Sequence, residues 1–360
     1  MGVQRGPTLA LDMNCMDLRV RAQKQESQIR RLLRDLFRRR FSMKKMQMLG
    51  LVALMAVSSL AIAQSRRDKN SDLEKVLWDA DQEWLCAGPY WVPPKECVQQ
   101  RTNFWGQQFF EVVGGGNVMS KAEMVSSQTA LAPKNASGAG LNGVFPGDFK
   151  LRAVYGNFAV ATDRTAFKTL DANGLPAFTS TMKWLRLFVY ENGRWRPAAG
   201  AGVPVVPFAT PSSSSQQSIS YGGNHRSSNE QLEKELAAID TKWLDSARNQ
   251  KWDYLDDLFT DQWFEILGWD PTTDVTKEYA REAIMSPRPN AKPGEGVFPD
   301  EFQLWADYGD VALATDRRTR HWTDAKGNAV ITPHRSLLVF VKQDGKWKAA
   351  AAALVPDVTP

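Results

Sequence analysis

Apolar side chains recur with helical spacing in two distant segments of the chain. The first segment carries them at Leu73, Val76, Leu77, Ala80 and Trp84. The second carries them at Leu232, Leu236, Ile239, Trp243 and Leu244. Because residues three and four apart share one face of a helix, both segments are predicted to form amphipathic helices with one buried face.

The second half of the chain then changes to the alternating pattern of strands. A helical stretch over 252–259 leads into 263–267, where the apolar period becomes that of a strand. A further helix is predicted over 276–284, with Thr276 as its N-cap. Four strands follow, separated by turn sequences that contain glycine, at 302–305, 311–322, 336–342 and 347–355. Helices followed by an antiparallel sheet predict an α+β fold.

One part of the chain occurs twice. Residues 143–164 and 296–317 are identical at 14 of 22 positions without a gap, where chance would give about one or two. Upstream, the alignment pairs Asp81 with Asp240, and it pairs Phe109-Phe-Glu-Val with Trp263-Phe-Glu-Ile. The chain is therefore a tandem duplication.

The repeat divides the chain into domains. One domain is predicted over 70–204 and a second over 230–356, each close to the commonest domain size. Residues 205–229 between them contain runs of Ser, Gln and Gly. Because this segment holds too few apolar side chains to pack, it is predicted to be a flexible linker.

Residues 43–63 have the three parts of a secretory signal peptide. A basic start at Met43-Lys-Lys is followed by an apolar stretch and by the small-residue ending Ala61-Ile-Ala. The apolar run is shorter than the about 20 residues of a membrane-spanning helix. We therefore expect cleavage after Ala63 and a periplasmic or secreted protein that does not associate with the membrane. Residues 1–42 precede a complete signal and are predicted to be a mis-assigned extension; a basic cytoplasmic arm is the alternative.

Removal of the first 63 residues would change the sign of the net charge. The full chain carries a formal charge of +5. Residues 1–42 contain ten Lys and Arg against four Asp and Glu, and Lys44 and Lys45 add two cations, so the chain from Gln64 carries −3. With no basic stripe left, nucleic acid is not an expected partner.

Two cysteines, Cys86 and Cys97, follow the signal peptide. In an exported chain, two thiols 11 positions apart suggest a disulfide, which would close a loop that the second domain lacks. Two buried free thiols are the alternative. The spacing does not fit a redox Cys-x-x-Cys pair or a zinc site.

Histidines are few after the signal peptide. They are His225, His321 and His334, and none stands in a His-x-His or His-Glu-x-x-His spacing. No metal site and no cofactor are therefore predicted.

The order of elements in each half resembles a known superfamily. This order is similar to that of the nuclear transport factor 2-like superfamily, in particular its SnoaL-like branch of small bacterial domains. The segment that ends at Arg317 and the ending Asp-Gly-Lys-Trp347 also carry the resemblance. The resemblance covers both halves and implies two tandem cone-shaped α+β barrels, with helices packed in a strongly bent, mainly antiparallel sheet. It also implies that the two domains pair through their sheets as an intramolecular pseudo-dimer.

The superfamily does not specify one function. Its members include isomerases, cyclases, dehydratases and domains without activity, and the cone cavity is where they bind ligand or react. The fold alone therefore cannot choose among them.

Two acids are candidates for catalysis, because related isomerases and cyclases use an Asp in an apolar cone as a general base. Both repeats place such an acid near the cone, at Asp163 and Asp316. Each is followed by an arginine, and successive strand side chains point to opposite faces. A structural ion pair or a strand-end cap is the competing interpretation.

Six other residues are candidates for contact with a ligand: Lys183, Arg335, Arg318, Trp305, Trp322 and Tyr308. The basic pair Lys183 and Arg335 would need a carboxylate partner, from the ligand or from the protein itself. Trp305 and Trp322 do not recur between the repeats and could stack a flat apolar ligand, whereas recurrent tryptophans are predicted to pack in the core.

The sequence thus favours an exported, noncatalytic or weakly catalytic protein that binds a small, mostly apolar organic molecule in its cones. One alternative is a lyase or isomerase of the polyketide-cyclase type with Asp316 as the base. Another is a noncatalytic envelope interaction module, which would present an exposed apolar patch instead of a cavity. Whether the protein is an enzyme stays undecided at this level.

Overall fold

The computed structural model describes residues 70–85, 95–131, 141–170, 176–205, 227–252, 254–268, 270–286, 294–324 and 326–357. The predicted extension, the signal peptide and residues 206–226 of the predicted linker lie outside these ranges. We call residues 70–205 lobe 1 and residues 227–357 lobe 2.

The two lobes contain the same series of elements. Lobe 1 consists of α1 (70–85), α2 (Lys95–Phe104), β1 (Phe110–Val112), β2 (Val118–Ser120), α3 (Lys121–Leu131), β3 (Leu141–Tyr155), β4 (Phe158–Leu170), β5 (Pro176–Glu191) and β6 (Arg194–Pro204). Lobe 2 consists of α4 (Glu230–Arg248), α5 (Leu255–Leu258), β7 (Phe259–Leu267), β8 (Asp270–Thr276), α6 (Lys277–Met285), β9 (Gly296–Asp307), β10 (Val311–Thr323), β11 (Ala329–Gln343) and β12 (Lys346–Pro356).

Each lobe has one six-stranded sheet with the same strand order. The orders are β2-β1-β6-β5-β4-β3 and β8-β7-β12-β11-β10-β9. Neighbouring strands are antiparallel except for the pairs β1–β6 and β7–β12, which are parallel. Register shifts interrupt the long strands, for example between Leu187 and Phe188 and between Val339 and Phe340. Such bulges bend a sheet, so the predicted α+β class with two bent, mainly antiparallel sheets is confirmed.

Each sheet encloses its helices on the concave face. In lobe 1, Ala159, Ala161 and Phe188 pack against Leu77 and Trp84 of α1. In lobe 2, the corresponding strands pack against α4, whose buried positions include Leu236 and Trp243. The small alanines leave room for a helix on the sheet. The helical stripes expected from the sequence form the buried faces of α1 and α4, except that Val76 is 50% exposed.

Local sequence signals explain the ends of several elements. Asn192-Gly193 and Asp344-Gly345 join the last two strands of each sheet with positive φ at both turn residues, as tight hairpins with Asn-Gly or Asp-Gly require. The Thr276 hydroxyl accepts a hydrogen bond from Tyr279 N at 3.3 Å, which confirms the predicted N-cap.

The helix expected over 252–259 is much shorter in the structure. Among the described residues of this stretch, the helix is Leu255–Leu258, and Phe259 already pairs with Ala349 of β12. Strand pairing outweighs local helical propensity here, because a four-residue helix adds little stability by itself.

A glutamate from the first helix of each lobe covers the outer edge of the sheet. Glu74 Oε2 accepts from Leu151 N, and Glu233 Oε2 accepts from the equivalent Leu304 N, both at 2.8 Å. The edge strands β3 and β9 are thus partly satisfied by side chains of their own lobe.

The convex faces of the two sheets pack against each other. Strand side chains alternate, so Val160 and Leu187 point away from α1, into a single apolar cluster that also holds Leu313 and Val339 of lobe 2. The closest strands across this boundary are β6 and β12. The described part of the chain therefore has three apolar cores, one inside each lobe and one shared, which we call the interlobe core.

The shared core predicts that the lobes unfold together. Leu187 is fully buried there, so Leu187→Ala should lower the free energy of unfolding by about 2–5 kcal/mol. Denaturant titration followed by tryptophan fluorescence should show one transition, shifted as a whole. Ile331→Ala, at a position 61% exposed, is the control and should change stability by less than about 0.5 kcal/mol. Two separate transitions, of which only one moves, would contradict a shared core.

Candidate functional site

A fully buried guanidinium lies at the centre of lobe 1, surrounded by three carboxylates. The Nε atom of Arg186 is 3.1 Å from Asp81 Oδ1 and 3.3 Å from Asp163 Oδ1. Its Nη1 atom is 3.6 Å from Glu111 Oε1. We call these four residues the lobe-1 charge cluster.

Lobe 2 contains the same arrangement around Arg318. Its Nη2 atom is 2.7 Å from Asp240 Oδ1, its Nη1 atom is 3.5 Å from Glu265 Oε1, and its Nε donates to Asp316 Oδ2. These residues form the lobe-2 charge cluster. A buried ion without a counter-charge is very costly, so each guanidinium requires the acids around it.

The three acids come from equivalent elements in the two lobes. One lies on the first helix, one on the first strand (β1 or β7) and one on β4 or β10. Three residues after the helical acid, a tryptophan lies against the guanidinium. The Cζ atom of Arg186 is 4.3 Å from the ring centroid of Trp84, and that of Arg318 is 4.5 Å from Trp243. Each arginine thus has a cation–π partner as well as its carboxylates.

Only the arginine changes position between the lobes. Arg186 lies on β5, and the equivalent residue of lobe 2 is Leu338. Arg318 lies on β10, and the equivalent residue of lobe 1 is Thr165. The Thr165 hydroxyl donates to Asp163 Oδ2 at 3.1 Å, as Arg318 Nε does to the equivalent aspartate. The guanidinium therefore extends from β5 in lobe 1 and from β10 in lobe 2. In both lobes it reaches the three equivalent acids.

A second exchange accompanies the first. In lobe 1, Trp184 lies opposite Gly202, and in lobe 2 the same pair is Ser336 opposite Leu354. A Cβ atom at Gly202 would lie only 2.7 Å from the Trp184 ring, so the large side chain requires glycine across from it. Trp184 also lies 4.1 Å from Cζ of Arg186. The large buried side chain thus lies on β5 in lobe 1 and on β12 in lobe 2, so its position differs between the lobes as that of the arginine does.

Three carboxylates and one guanidinium cannot all be ionised in lobe 1 without leaving net buried charge. Burial raises the pKa of Asp81 well above its ordinary value, and the negative charge of Asp163 raises it further, against the opposing effect of Arg186. The neutral Asp81 carboxyl can donate to Asp163. Burial also raises the pKa of Asp163, against the opposing effects of Arg186 and of the Thr165 hydroxyl.

Burial raises carboxyl pKa values in the lobe-2 charge cluster as well, and one of these pKa values lies near neutral pH. Burial and then the charge of Asp316 raise the pKa of Asp240 well above its ordinary value, while Arg318 lowers it. Burial raises the pKa of Glu265 to about 7, again against Arg318. Glu265 is therefore the group of this cluster that gains or loses a proton near neutrality.

Both candidate catalytic acids belong to these clusters. Asp163 is 1% exposed and Asp316 is 0% exposed. Each accepts a hydrogen bond from the arginine of its own cluster. The arrangement can hold a helix on a bent sheet, and it offers a substrate little access to either carboxylate.

The basic ligand candidates take part in ion pairs within the protein. Lys183, which is 5% exposed, pairs with Asp274 of lobe 2, which Arg152 also contacts at 2.6 Å. Arg335 Nη1 is 3.0 Å from Glu301 Oε2. Arg318 is the centre of the lobe-2 charge cluster.

The aromatic ligand candidates occupy different surroundings. Trp322 is half-buried, with Cζ of Arg320 5.3 Å from its ring. Tyr308 packs against the interlobe core, with its ring 5.9 Å from that of Phe158. Trp305 belongs to the interlobe core, and its Nε1 donates to Thr315 Oγ1 at 2.9 Å. Of the predicted disulfide, Cys86 and the side chain of Cys97 lie outside the described residues.

A cleft of about 700 Å³ opens where the lobes meet, beside Trp305. Its lining residues are Thr102, Gln107, Gln108, Phe109, Phe110, Ser120, Lys121, Ala122, Val125, Ser227 and Trp305. The Trp305 ring stacks on that of Phe110 of lobe 1, with centroids 5.2 Å apart. Gln108 and Asp307 exchange hydrogen bonds through the Asp307 backbone at the boundary between the lobes.

The equivalent place on the other side of the lobe pair is polar. The repeat pairs Trp305 with Arg152, which lies 5.5 Å from the ring of Phe264, the equivalent of Phe110. There Arg152 and Lys183 converge on Asp274. The same position of each lobe thus covers a phenylalanine of the other lobe, with a tryptophan on one side and an arginine ion pair on the opposite side.

Sequence reasoning missed Arg186 and did not connect the paired acids. The alignment already matched Asp81 with Asp240 and Glu111 with Glu265. An aspartate on the apolar face of a helix, present in both repeats, is a usable signal of buried charge pairing. Arg186 gave no such signal, because its equivalent in the other repeat is leucine.

In the described part of the chain, no group of three or more His, Cys, Asp or Glu side chains is placed to hold a metal ion. None of the described helices combines the length and the apolar character needed to span a bilayer.

No protein family and no curated protein sequence matches this chain. Solved structures do match. A nuclear transport factor 2 (NTF2)-like protein from Cytophaga hutchinsonii has 17% identity and a TM-score of 0.27, over 39% of this chain and 98% of that one. The association domain of Caenorhabditis elegans CaMKII has 13% identity and a TM-score of 0.30, over 35% and 96%. A Mycobacterium tuberculosis protein of unknown function has 19% identity and a TM-score of 0.30, over 38% and 78%.

Transfer of the guanidinium between strands can be reproduced by mutation. Arg186→Leu leaves buried acids without their cation and should lower the free energy of unfolding by about 3–5 kcal/mol. Adding Thr165→Arg, which copies lobe 2, should recover part of that loss because the new guanidinium starts beside Asp163. Denaturant unfolding measures both. Arg164→Leu, on the opposite face of β4, is the control with an expected change under about 0.5 kcal/mol. A double variant no more stable than Arg186→Leu would contradict the exchange.

Protonation of Glu265 should make stability depend on pH. Its pKa is raised to about 7 in the folded protein from 4.5, so its contribution is fully present below about pH 4.5 and is lost as pH rises through about 7. Glu265→Gln mimics the protonated form and should be more stable than the native protein at pH 8, by roughly 3 kcal/mol at most. The two proteins should converge at about pH 4. Unfolding titrations from about pH 4 to 8 test this, with the exposed Glu282→Gln as the control.

Proposed function

We propose that this protein is an exported, noncatalytic binding protein for a small, mostly apolar organic molecule. In this proposal the chain consists of two tandem nuclear transport factor 2-like domains of the SnoaL-like branch, behind a signal peptide cleaved after Ala63. The repeat, the element order in each lobe and the three-part leader at 43–63 support this reading.

The cleft beside Trp305 is the observation that carries the proposal. Its volume of about 700 Å³ falls in the range typical of small-molecule sites. Its lining includes the aromatic residues Phe109, Phe110 and Trp305, each at most 7% exposed, together with neutral polar side chains and Lys121. Aromatic side chains combined with polar groups that can fix orientation are typical of a site for an organic ligand.

The cone interiors are less suitable for such a ligand. At their centres lie the charge clusters, and the guanidinium, the three acids and the tryptophan of each cluster are at most 8% exposed. An apolar molecule placed there would separate buried charges from their partners, which is strongly unfavourable. We therefore place the ligand between the lobes instead of inside the cones.

The lobe pair itself is part of the proposed design. The cleft needs Phe110 from lobe 1 and Trp305 from lobe 2, so a separated domain would lose it. We propose that the two domains act as an intramolecular pseudo-dimer, which the interlobe core supports.

A lyase or isomerase of the polyketide-cyclase type is the second candidate. The observation that favours it is Glu265, whose pKa of about 7 lies where a general acid or base works best. Asp316 would take the substrate proton, with Arg318 close to the developing negative charge. This route needs an opening to a carboxylate that is 0% exposed, whereas the binding proposal uses an existing cleft.

Blocking the cleft from its exposed wall tests the binding proposal. Ala122 is exposed and lines the cleft, so Ala122→Trp should fill it without disturbing a core. The neutral fluorescent probe N-phenyl-1-naphthylamine should bind the native protein, and Ala122→Trp should weaken this binding at least about tenfold by steric exclusion. Fluorescence titration measures both affinities.

The matched control is Glu278→Trp, at the exposed equivalent position of α6 in lobe 2. It should bind the probe as the native protein does. Equal loss in both variants, or no binding by the native protein, would argue against a ligand site in the cleft.

A further inference from the structure

Two equivalent lysines begin the short helices α3 and α6. Lys121 follows Ser120, whose hydroxyl accepts a hydrogen bond from Glu123 N at 3.4 Å, and Lys277 follows the N-cap residue Thr276. The register supports this equivalence, because Phe110 pairs with Ser120 and Phe264 pairs with Thr276. The two ammonium groups therefore start from the same place in their lobes.

In lobe 2 the lysine is neutralised by acids. Lys277 Nζ is 3.4 Å from Asp256 Oδ1 and 3.8 Å from Asp261 Oδ1. It also donates to Asp256 O at 3.3 Å. Its positive charge is therefore compensated within the lobe.

In lobe 1 neither acid is present. The repeat pairs Asp256 with Thr102 and Asp261 with Gln107. This alignment is supported by the stacked rings of Trp105 and Phe109, at 4.5 Å, which match those of Phe259 and Trp263, at 4.3 Å. Two carboxylates of lobe 2 are thus replaced by two neutral side chains, and both of these line the cleft.

Lys121 is not compensated by an ion pair of the kind that Lys277 forms. Its printed contacts go to backbone carbonyls, with Nζ 3.0 Å from Trp105 O and 3.5 Å from Gly106 O. No carboxylate of the described residues forms an ion pair with it. Burial and the positive charge of Arg196 lower the pKa of Lys121, while Glu191 partly offsets this. Lys121 is also the only charged residue among those that line the cleft.

We propose that the ligand of the cleft carries a carboxylate that pairs with Lys121 while its apolar body lies against Phe110 and Trp305. This inference rests on the proposed function and adds the chemical class: a small aromatic or cyclic organic acid. The ligand carboxylate takes the place that Asp256 and Asp261 hold in lobe 2. An ammonium in a partly buried, aromatic-walled cleft attracts an anion more strongly than one in water does.

A pair of probes that differ only in charge tests the inference. 2-Naphthoate and the neutral 2-naphthamide are titrated as competitors of bound N-phenyl-1-naphthylamine. The native protein should bind 2-naphthoate about tenfold more tightly than 2-naphthamide, as expected for a hydrogen bond to a charged group. The preference should shrink as salt is raised, because the site is open to solvent.

Three variants locate the effect. Lys121→Met should remove the preference for 2-naphthoate and leave 2-naphthamide binding unchanged, whereas the equivalent Lys277→Met should retain the preference. Gln107→Asp restores the acid of lobe 2 and should also remove it, although Lys121 is still present.

The possible outcomes separate this inference from the proposed function. If no neutral probe binds, the ligand site in the cleft is wrong. If 2-naphthamide binds as tightly as 2-naphthoate, or if Lys121→Met keeps the preference, the cleft binds ligands but the anionic class is wrong. Circular dichroism of each variant shows whether the fold is retained, and Lys121→Arg, which keeps the charge, should retain the preference in a folded protein.

Discussion

The need to compensate a buried positive charge organises each lobe. An arginine at the centre of a cone has no water to solvate it, so carboxylates from three separate elements must converge on its guanidinium. One comes from the first helix, one from the first strand and one from the middle of the sheet. These contacts fix how far the helix enters the bent sheet, and they explain why acids such as Asp81 and Asp240 occupy an otherwise apolar helical face. Because the acids outnumber the cation, some of them retain protons, which makes the clusters sensitive to pH.

A comparison of the two lobes shows which features of the charge clusters differ and which are the same. The acids and the stacked tryptophan stay at equivalent positions, whereas the arginine moves between neighbouring strands. Adjacent strands lie about 4.7–4.9 Å apart, a distance that a long arginine side chain can cover, so the guanidinium can reach the same point from either strand. The exchange of Trp184 and Gly202 for Ser336 and Leu354 shows the same tolerance for buried volume. A close-packed interior fixes the total side-chain volume that fits at one place. It restricts less strictly which strand provides that side chain.

The contact between the lobes converts two similar folds into one asymmetric molecule. Their convex faces bury an apolar core, and at its two ends the same position is Arg152 in one lobe and Trp305 in the other. On the arginine side, Asp274 neutralises two cations and closes the boundary. On the tryptophan side, aromatic rings and neutral side chains border an open cleft, and Lys121 contributes a positive charge. Duplication supplied two copies of each position, and the copies diverged at the boundary, where a cleft of about 700 Å³ lies beside Trp305.

The sequence by itself determined the duplication, the α+β class, the amphipathic helices, the Thr276 cap and the hairpins. These features depend on identity between the repeats or on residues within a few positions of one another. The Asn-Gly and Asp-Gly turns, for example, need only two residues to set their backbone angles. The boundaries of strands were less predictable: pairing of Phe259 with Ala349 shortened a helix that local propensity would have continued. Only the tertiary structure decided where the functional groups lie. The charge clusters bring together residues from distant elements, the arginine differs in position between repeats, and the cleft depends on which faces of two lobes meet. None of these is a property of neighbouring residues, so no local pattern encodes them.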